Sequence, residues 1–312
     1  MSAAAQNTPL ANVLSRPRLR LSIFYGFLIP IIFLSLLAGV GIGSTHISWP
    51  TILSVAEFKM LPHAWTSSLH VTKADEVIVW LIRVPRVIVA FFVGASLASA
   101  GVLLQALFRN PLAEPSLVGA GEGAVLGGVI SFVTGWSATS VLSLPLMAMA
   151  GALLALFIVY AMSTRGGVTP VATLLLAGVA TSALLSSVAS LLLSVNIVNW
   201  QIAQEIVFWM MGGLDARTWT HVWLCVPFVI LGIVAALLQT RDLDLLQLGE
   251  ETAASFGVDV ESSKRMLTLT AAILTGASVA VAGRCGPAAM RWGPRSCPYR
   301  SGGPARRSLR YR

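Results

Sequence analysis

Long apolar runs, each about the length of a membrane-spanning helix, recur along this chain of 312 residues. A helix needs roughly 20 mostly apolar residues to cross the hydrocarbon core of a bilayer. Only 11% of the residues are charged, whereas an ordinary soluble domain carries about 25%. The mean hydropathy of +0.80 agrees with this depletion. We therefore predict an all-α fold, a polytopic bundle of transmembrane helices.

The apolar pattern predicts seven spans. They lie at about residues 21–43, 87–108, 116–134, 144–162, 171–195, 221–239 and 266–282. The uncharged stretch 123–164 is too long for a single helix. Because Gly135 and Pro145 interrupt it, we divide this stretch between the third and fourth spans.

Lysine and arginine in the loops predict the orientation, because cytoplasmic loops carry more of both. With residues 1–20 as a cytoplasmic segment, the inner side holds Arg16, Arg18, Arg20, Arg109, Arg165, Arg241, Lys264 and Arg265. The outer side holds Lys59, Lys73, Arg83, Arg86 and Arg217. The arginines before the first span favour a retained signal-anchor helix over a cleaved signal peptide.

A short polar turn separates the second and third spans, with the sequence Asn110, Pro111, Leu112, Ala113, Glu114 and Pro115. The two prolines stop the preceding helix, because proline lacks an N–H and clashes with the previous turn. The pattern Gly119-xxx-Gly123-xxx-Gly127 then gives the third span a face of small residues for close helix packing. From spacing alone, the turn is equally well explained as a simple helical hairpin.

Several ordered motifs resemble one family. The segment RVPRVIVAFFVGASLASAGVLLQALFRNPLAEPSLVGAGEGAVLG is similar to the signature region of FecCD/BtuC-type permeases. The segments WMMGGLDARTW and LQLGEETAASFGVDV match two further stretches of that family. The resemblance covers about residues 21–283, which we take as the permease domain. It implies a BtuC-like bundle of about ten spans and a membrane subunit of a bacterial ABC importer for iron–siderophore complexes, haem or vitamin B12.

The resemblance also implies a location in the bacterial inner membrane. The partners that it implies are a second copy of the chain, an ATPase subunit and a periplasmic substrate-binding protein. The chain contains no G-x-x-x-x-G-K-[ST] loop, so we expect ATP to be used by the partner and no cofactor to be bound here. No catalytic pair and no Cys/His cluster for a metal is present in the sequence. We therefore expect a transport subunit, neither an enzyme nor a nucleic-acid-binding protein.

A cytoplasmic segment around residue 250 predicts a short helix with two carboxylates in its first turn, where the helix dipole favours negative charge. Gly257 is placed to end it. In the resembled family this segment couples the permease to its ATPase. The residues concerned are Leu248, Gly249, Glu250, Glu251, Ala254, Phe256 and Gly257. The alternative is a helix that lies on the membrane surface.

Two arginines, Arg83 and Arg86, lie just outside the second span. The resemblance implies that they receive carboxylates of the binding protein, a role that suits the bidentate guanidinium group. Simple anchoring at the membrane interface is the alternative.

The fifth span is rich in small and hydroxylated residues, and the resemblance places this helix beside the translocation path. The candidate lining residues are Gly178, Thr181, Ser182 and Ser186. Packing between helices is the alternative use of such residues. Glu122 is the one carboxylate predicted near membrane depth, where ionisable groups are functional candidates. The simpler expectation is that it reaches water at the cytoplasmic end.

Residues 284–312 do not continue the family pattern. They hold eight arginines, four prolines and no acidic residue. Our hypothesis is an aberrant tail from a frameshift; the alternative is a basic tail that binds lipid headgroups. If the chain ends here, about three spans of the family are missing. The competing function is then a truncated, non-transporting remnant or an assembly partner.

Overall fold

The computed structural model describes residues 17–43, 45–60, 72–196 and 199–283. The chain divides into two compact units, Met1–Ile88 and Val89–Arg312. The proposed tail, residues 284–312, and most of the predicted cytoplasmic segment 1–20 lie outside the described residues. Within the described ranges, every named element is a helix, which confirms the predicted all-α class.

The described residues of the first unit form two helices and the beginning of a third. Helix α1 spans Pro17–Gly41, α2 spans Trp49–Met60, and α3 is a continuous segment, Lys73–Phe108, that continues into the second unit. Ile52, Val55 and Val79 form the buried core of this unit. Lys59 Nζ lies 2.6 Å from Glu76 Oε1, which links α2 to α3 at the surface.

Helix α3 changes its winding near its start. Residues Val77–Arg83 are π-helical, and the ordinary α-helix resumes at Val84–Phe108. Pro85 has no N–H and its ring would crowd the carbonyl of Leu81, four residues earlier. The wider π turn accommodates that missing hydrogen bond, and such turns are frequent at functional positions.

The second unit holds the remaining helices of the described ranges. After a short 3-10 helix, Pro115–Val118, they are α4 (Ala120–Val133), α5 (Ser143–Ser163), α6 (Val171–Val195), α7 (Trp200–Met210), α8 (Trp219–Leu238), α9 (Thr240–Leu248), α10 (Glu250–Ser255) and α11 (Val260–Ala282). A further 3-10 turn, Trp136–Ala138, lies between α4 and α5.

Six of the described helices are long and apolar enough to cross a membrane, judged by length and composition. They are α1, α3, α5, α6, α8 and α11. The predicted third span differs, because α4 has only 14 residues. At about 1.5 Å per residue it falls short of the roughly 30 Å hydrocarbon core. Most of its residues are buried, so α4 is covered by neighbouring helices and does not need the length of a span.

Helix α11 is the centre of the second unit, and 78% of its most apolar stretch is buried. Ser96 Oγ on α3 donates to Leu274 O at 2.8 Å, and Thr268 Oγ1 donates to Tyr160 OH on α5 at 2.8 Å. On α8, a Cβ added to Gly232 would lie 2.5 Å from Leu274 Cδ2. Helices α3, α5 and α8 therefore all contact α11 directly.

Candidate functional site

The predicted turn at residues 110–115 is present and ends α3 with a hydrogen-bonded cap. Arg109 adopts a left-handed conformation with φ of 49°, and Asn110 N donates to Gln105 O at 3.0 Å. Asn110 Oδ1 then accepts from Leu112 N at 2.9 Å. This is a Schellman-type C-cap followed by an Asx turn. Ala113 is buried and Leu112 is exposed, so the turn presents one apolar side chain outward.

The glycines after this turn permit a close approach between α4 and α5. A Cβ at Gly123 would lie 2.4 Å from Gly151 O, and one at Gly127 would lie 2.1 Å from Met147 O. The predicted small-residue face is thus confirmed at these two positions. Gly119 has another role, because it caps α4 with a φ of 80°.

A polar cavity of about 260 Å³ lies where the 3-10 helix, α4 and α6 meet. It is lined by Ser116, Leu117, Glu122, Val179, Ser182, Ala183 and Ser186. The Glu122 side chain is buried, at 7% exposure, and does not extend into bulk water as the simpler expectation had it. The carboxylate instead forms part of the wall of a cavity that is otherwise hydroxylated and apolar.

The four predicted lining residues of the fifth span divide into two pairs. Ser182 and Ser186 line the cavity, and Ser182 Oγ donates to Ser116 O at 2.7 Å. Gly178 packs against the backbone instead, since an added Cβ would lie 1.9 Å from Leu117 O. Thr181 is buried at 4% exposure. The structure therefore brings two of the four to the cavity and uses the other two for packing, while their transport role stays a prediction.

Helix α10 forms where the sequence predicted a short cytoplasmic helix, with Glu250 and Glu251 in its first turn. Gly257, at φ of 82°, ends it: Gly257 N donates to Ala254 O at 3.0 Å, and Val258 N donates to Ala253 O at 3.1 Å. This Schellman motif confirms the predicted C-terminal stop. Gly249, with φ of 127°, makes the turn that joins α9 to α10.

The apolar residues of this segment face in different directions. Ala253 is fully buried, whereas Leu248 is 67% exposed and Phe256 is 64% exposed. Ala254 is also exposed. One side of α10 therefore packs on the protein, while Leu248 before it and Phe256 after it present large apolar side chains outward.

Lys264 anchors α10 to the rest of the unit, and the sequence analysis did not identify this role. Its Nζ lies 2.6 Å from Glu250 Oε2, 3.1 Å from Glu261 Oε1 and 2.9 Å from Thr169 O. The side chain is fully buried, although the sequence counted it among the loop charges. The available signal was the Glu261–Lys264 spacing of three residues, which places opposite charges on one helix face.

The two arginines predicted to dock a binding protein have different surroundings. Arg83 is buried at 7% exposure, and its guanidinium donates to Val40 O at 3.0 Å, Gly41 O at 3.1 Å and Thr45 Oγ1 at 3.0 Å. It thereby caps the C-terminal end of α1, where a positive charge is favourable. Arg86 is exposed. The geometry makes Arg86 the more accessible of the two, and the docking role stays a prediction.

The segment around the matched stretch WMMGGLDARTW closes the end of α11. Gly213 N donates to Ala282 O at 2.9 Å, and Ala216 takes a left-handed φ of 58°. Burial lowers the pKa of the Arg217 guanidinium, and the charge of Asp215 opposes that change. In the described part of the chain, no group of three or more His, Cys, Asp or Glu side chains is placed to hold a metal ion.

Together these features define a class: a helical membrane protein with a polar cavity between helices and a short exposed helix fixed to its most buried span. Comparison with known proteins specifies the class further. The profile of the FecCD transport family matches residues 30–286. The chain belongs to the FecCD transport family, whose members are permease subunits and not enzymes. It is accordingly a multi-pass protein of the inner (plasma) membrane.

Individual relatives are named for different transported compounds. The chain is 38% identical over 79% of its length to the cobalamin import system permease protein BtuC of Halobacterium salinarum, covering 64% of that protein. It is 39% identical over 68% of its length to the Fe(3+)-citrate import system permease protein YfmD of Bacillus subtilis, covering 62%. The hemin transport system permease protein HmuU of Yersinia pestis is 34% identical, with 87% of this chain and 76% of that protein covered. The chain thus spans a little under two thirds of the first two relatives.

A solved structure gives the same fold. It is described as an inward-facing conformation of a metal-chelate type ABC transporter, and it superposes with a TM-score of 0.71 at 25% identity. The alignment covers 86% of this chain and 78% of that one. The BtuC-like permease fold expected from the sequence is confirmed by this match.

Proposed function

We propose that this chain is the permease subunit of an ABC importer that takes up an iron–siderophore complex, with energy from a separate ATPase. The named relatives carry cobalamin, ferric citrate and hemin, and the structural relative carries a metal chelate. All of these are bulky metal chelates, which supports the cargo class. The choice of a siderophore over haem or cobalamin is the finer part of the proposal.

The observation that carries the proposal is the exposed end of the α9–α10 segment. Leu248 at the end of α9 and Phe256 at the end of α10 present large apolar side chains on either side of a short helix that Lys264 fixes to α11. A helix that projects apolar groups yet is rigidly attached to a membrane helix suits docking to a soluble partner that exerts force. We assign this surface to docking of the ATPase subunit. That partner, and not this chain, binds and hydrolyses ATP.

The other partners follow from the same assignment. A second copy of the chain completes the pathway, and the polar cavity at Glu122, Ser182 and Ser186 belongs to that pathway. Arg86 receives a carboxylate of the substrate-loaded binding protein on the outer side. Helix α1, with no buried residue in its apolar window, faces lipid.

The proposal is tested by complementation in a strain that lacks the gene. Cells are given radiolabelled iron as ferric hydroxamate, ferric catecholate or ferric citrate, and labelled haem and cobalamin in parallel. We expect the intact chain to restore ATP-dependent uptake of at least one ferric chelate. Uptake of haem or cobalamin alone would contradict the cargo, and no restored uptake of any of these compounds would contradict transport.

A double substitution tests the assignment of the docking surface separately. Leu248→Ser combined with Phe256→Ser should abolish uptake and remove the ATP hydrolysis that co-purifies with the permease, while the thermal unfolding temperature stays unchanged. Val141→Ser is the matched control, because Val141 is 55% exposed and lies in the loop between α4 and α5. ATP hydrolysis that co-purifies equally with all three proteins would contradict the assignment of this surface.

A further inference from the structure

Lys264 is the largest side chain that is fully buried in the described part of the chain. It lies in the second turn of α11, and an ammonium group carries three N–H donors. All three have a partner: Glu250 Oε2 at 2.6 Å, Glu261 Oε1 at 3.1 Å and Thr169 O at 2.9 Å. The charge is therefore both paired and fully hydrogen-bonded, as a buried cation requires.

The three partners come from three separate pieces of the chain. Glu250 is the first residue of α10, Glu261 belongs to α11, and Thr169 lies in the loop just before α6. Glu261 reinforces the arrangement, because its Oε2 accepts from Thr169 N at 3.0 Å. Both backbone polar groups of Thr169 are thus held by the same ion cluster, and α10 is attached to that cluster from the opposite side.

The partners differ in their access to water. The Lys264 side chain is 1% exposed, whereas those of Glu250 and Glu261 are 36% and 26% exposed. Water can replace the Glu250 bond far more easily than the bonds to Thr169. Stability does not require this chemistry, since well-packed apolar side chains in place of a whole buried ion cluster are often as stable. The ion cluster instead gives a directional link between α10 and the loop.

The link leads towards the cavity. Pro170 caps α6, which begins at Val171, only two residues after Thr169. The same helix carries Ser182 and Ser186 at the cavity wall. A displacement of α10 that pulls on Glu250 therefore acts, through Lys264 and Thr169, on the end of a helix that lines the cavity.

We propose that Lys264 is a positioning residue that ties the position of α10 to that of the start of α6, so that force on α10 changes the cavity. The link itself is a property of the isolated chain. Its use to couple ATP hydrolysis to cargo movement rests on the proposed function. The two parts are therefore tested by separate measurements.

The first measurement uses the purified full-length protein in lipid nanodiscs. Nitroxide labels are placed at Ser255→Cys on α10 and Val168→Cys in the loop before α6, both exposed positions, after replacement of the native cysteines. Pulsed electron resonance then gives the distance distribution between the labels. We expect one narrow distribution for the parent and a clearly broader one for both Lys264→Met and Glu250→Gln.

The matched control is Lys59→Met, which removes the surface ion pair with Glu76 in the first unit. It should leave the distribution narrow. Glu250→Gln retains the lysine and alters only the partly exposed partner, so it decides the question even if Lys264→Met fails to fold. A distribution as narrow in Glu250→Gln as in the parent would overturn the proposed link.

The second measurement uses the assembled transporter and compares cargo taken up with ATP hydrolysed. A typical coupling free energy between two sites corresponds to a factor of about five or more. We expect Glu250→Gln to lower uptake per ATP by at least about fivefold while the ATPase remains bound. Broadened distances without any ATP-dependent uptake in the parent would leave the link standing and reject the proposed function. An unchanged ratio in a working transporter would reject the coupling role.

Discussion

Glu261 Oε2 accepts a hydrogen bond from the backbone N–H of Thr169 at 3.0 Å, although 92 positions separate the two residues. The other oxygen of the same carboxylate lies 3.1 Å from Lys264 Nζ. Glu261 therefore accepts hydrogen bonds from two donors at once, one neutral and one charged. A glutamine can serve only one of them, because its amide nitrogen is a donor.

Glu261→Gln should accordingly destabilise the protein more than Glu250→Gln does. Leaving a buried donor without its acceptor costs about 1–3 kcal/mol. In Glu250→Gln the charge pairing with Lys264 is lost, but this position is partly exposed, so water can replace the interaction at little cost in stability. Thermal unfolding in detergent compares the variants, with the exposed Glu251→Gln as the control. An unfolding temperature that falls as far for Glu250→Gln as for Glu261→Gln would contradict this account of the cluster.

Gly127→Ala should destabilise the protein by about 1–3 kcal/mol, because the added methyl group overpacks a helix contact. The new Cβ would lie 2.1 Å from the backbone oxygen of Met147, and backbone cannot rotate out of the way. Gly94→Ala is the matched control, a helical glycine with nothing within 4 Å of the added carbon. Alanine favours helix over glycine, so the control should unfold at the same or a higher temperature. A loss of similar size in both variants would show that packing between α4 and α5 is not the cause.

Much of this architecture could be predicted from the sequence. The apolar runs gave four of the predicted spans close to their observed bounds, whereas α3 and α11 begin earlier than predicted. The residue types at Asn110 and Gly257 predicted a turn and a helix stop. Both signals are local, since helix length and cap geometry depend on neighbouring residues. The shortness of α4 was missed, because an apolar run does not reveal whether lipid or protein covers it.

The charged contacts were missed for a related reason. Charge counting placed Lys264 in an inner loop and Arg83 on the outer side, where the resemblance gave Arg83 a docking role. The structure buries both and gives them carbonyl partners far away in the chain, Thr169 for the lysine and Val40 for the arginine. Sequence spacing can indicate the Glu261–Lys264 pair on one helix. It cannot indicate a backbone carbonyl as a partner, since every residue has one.

Cysteines placed along α6 should divide into reactive and protected positions. In a background without Cys225, Cys285 and Cys297, we expect Ser182→Cys and Ser186→Cys to react with a hydrophilic thiol reagent. Thr181→Cys should stay protected, because Thr181 is only 4% exposed and its hydroxyl lies 4.0 Å from Met162 Sδ on α5. Equal reactivity at Thr181→Cys and Ser186→Cys would contradict the assignment of the cavity wall.

The charge of Glu122 should appear in the same experiment as a preference for cationic reagents. A nearby unit charge contributes about 1 kcal/mol even at about 4 Å in bulk water, and more where water is partly excluded. The rate ratio of a cationic to an anionic reagent at Ser186→Cys should therefore fall by at least about fivefold in Glu122→Gln. Glu205→Gln, at an exposed position on α7, is the control. An unchanged ratio in Glu122→Gln would show that the cavity does not experience this carboxylate as a charge.

Arg83 and Arg86 should separate into a stabilising residue and a docking residue. Arg83→Ala removes the donors that hold Val40 O, Gly41 O and Thr45 Oγ1, so the last turn of α1 loses its cap. We expect faster amide hydrogen exchange in that turn and a loss of at least about 2 kcal/mol, since charged hydrogen bonds are involved. Arg86→Ala should change stability by less than about 0.5 kcal/mol, as an exposed substitution does.

The binding protein provides the complementary readout. Arg86→Glu should weaken binding of the loaded substrate-binding protein at least tenfold, because reversing a charge at a docking surface replaces attraction by repulsion, worth about 1.4 kcal/mol or more. The same variant should retain the parent's hydrogen-exchange pattern in α1. If Arg86→Glu binds as tightly as the parent while Arg83→Lys weakens binding without faster exchange, Arg83 is the docking residue and its contacts with α1 must open when the binding protein arrives.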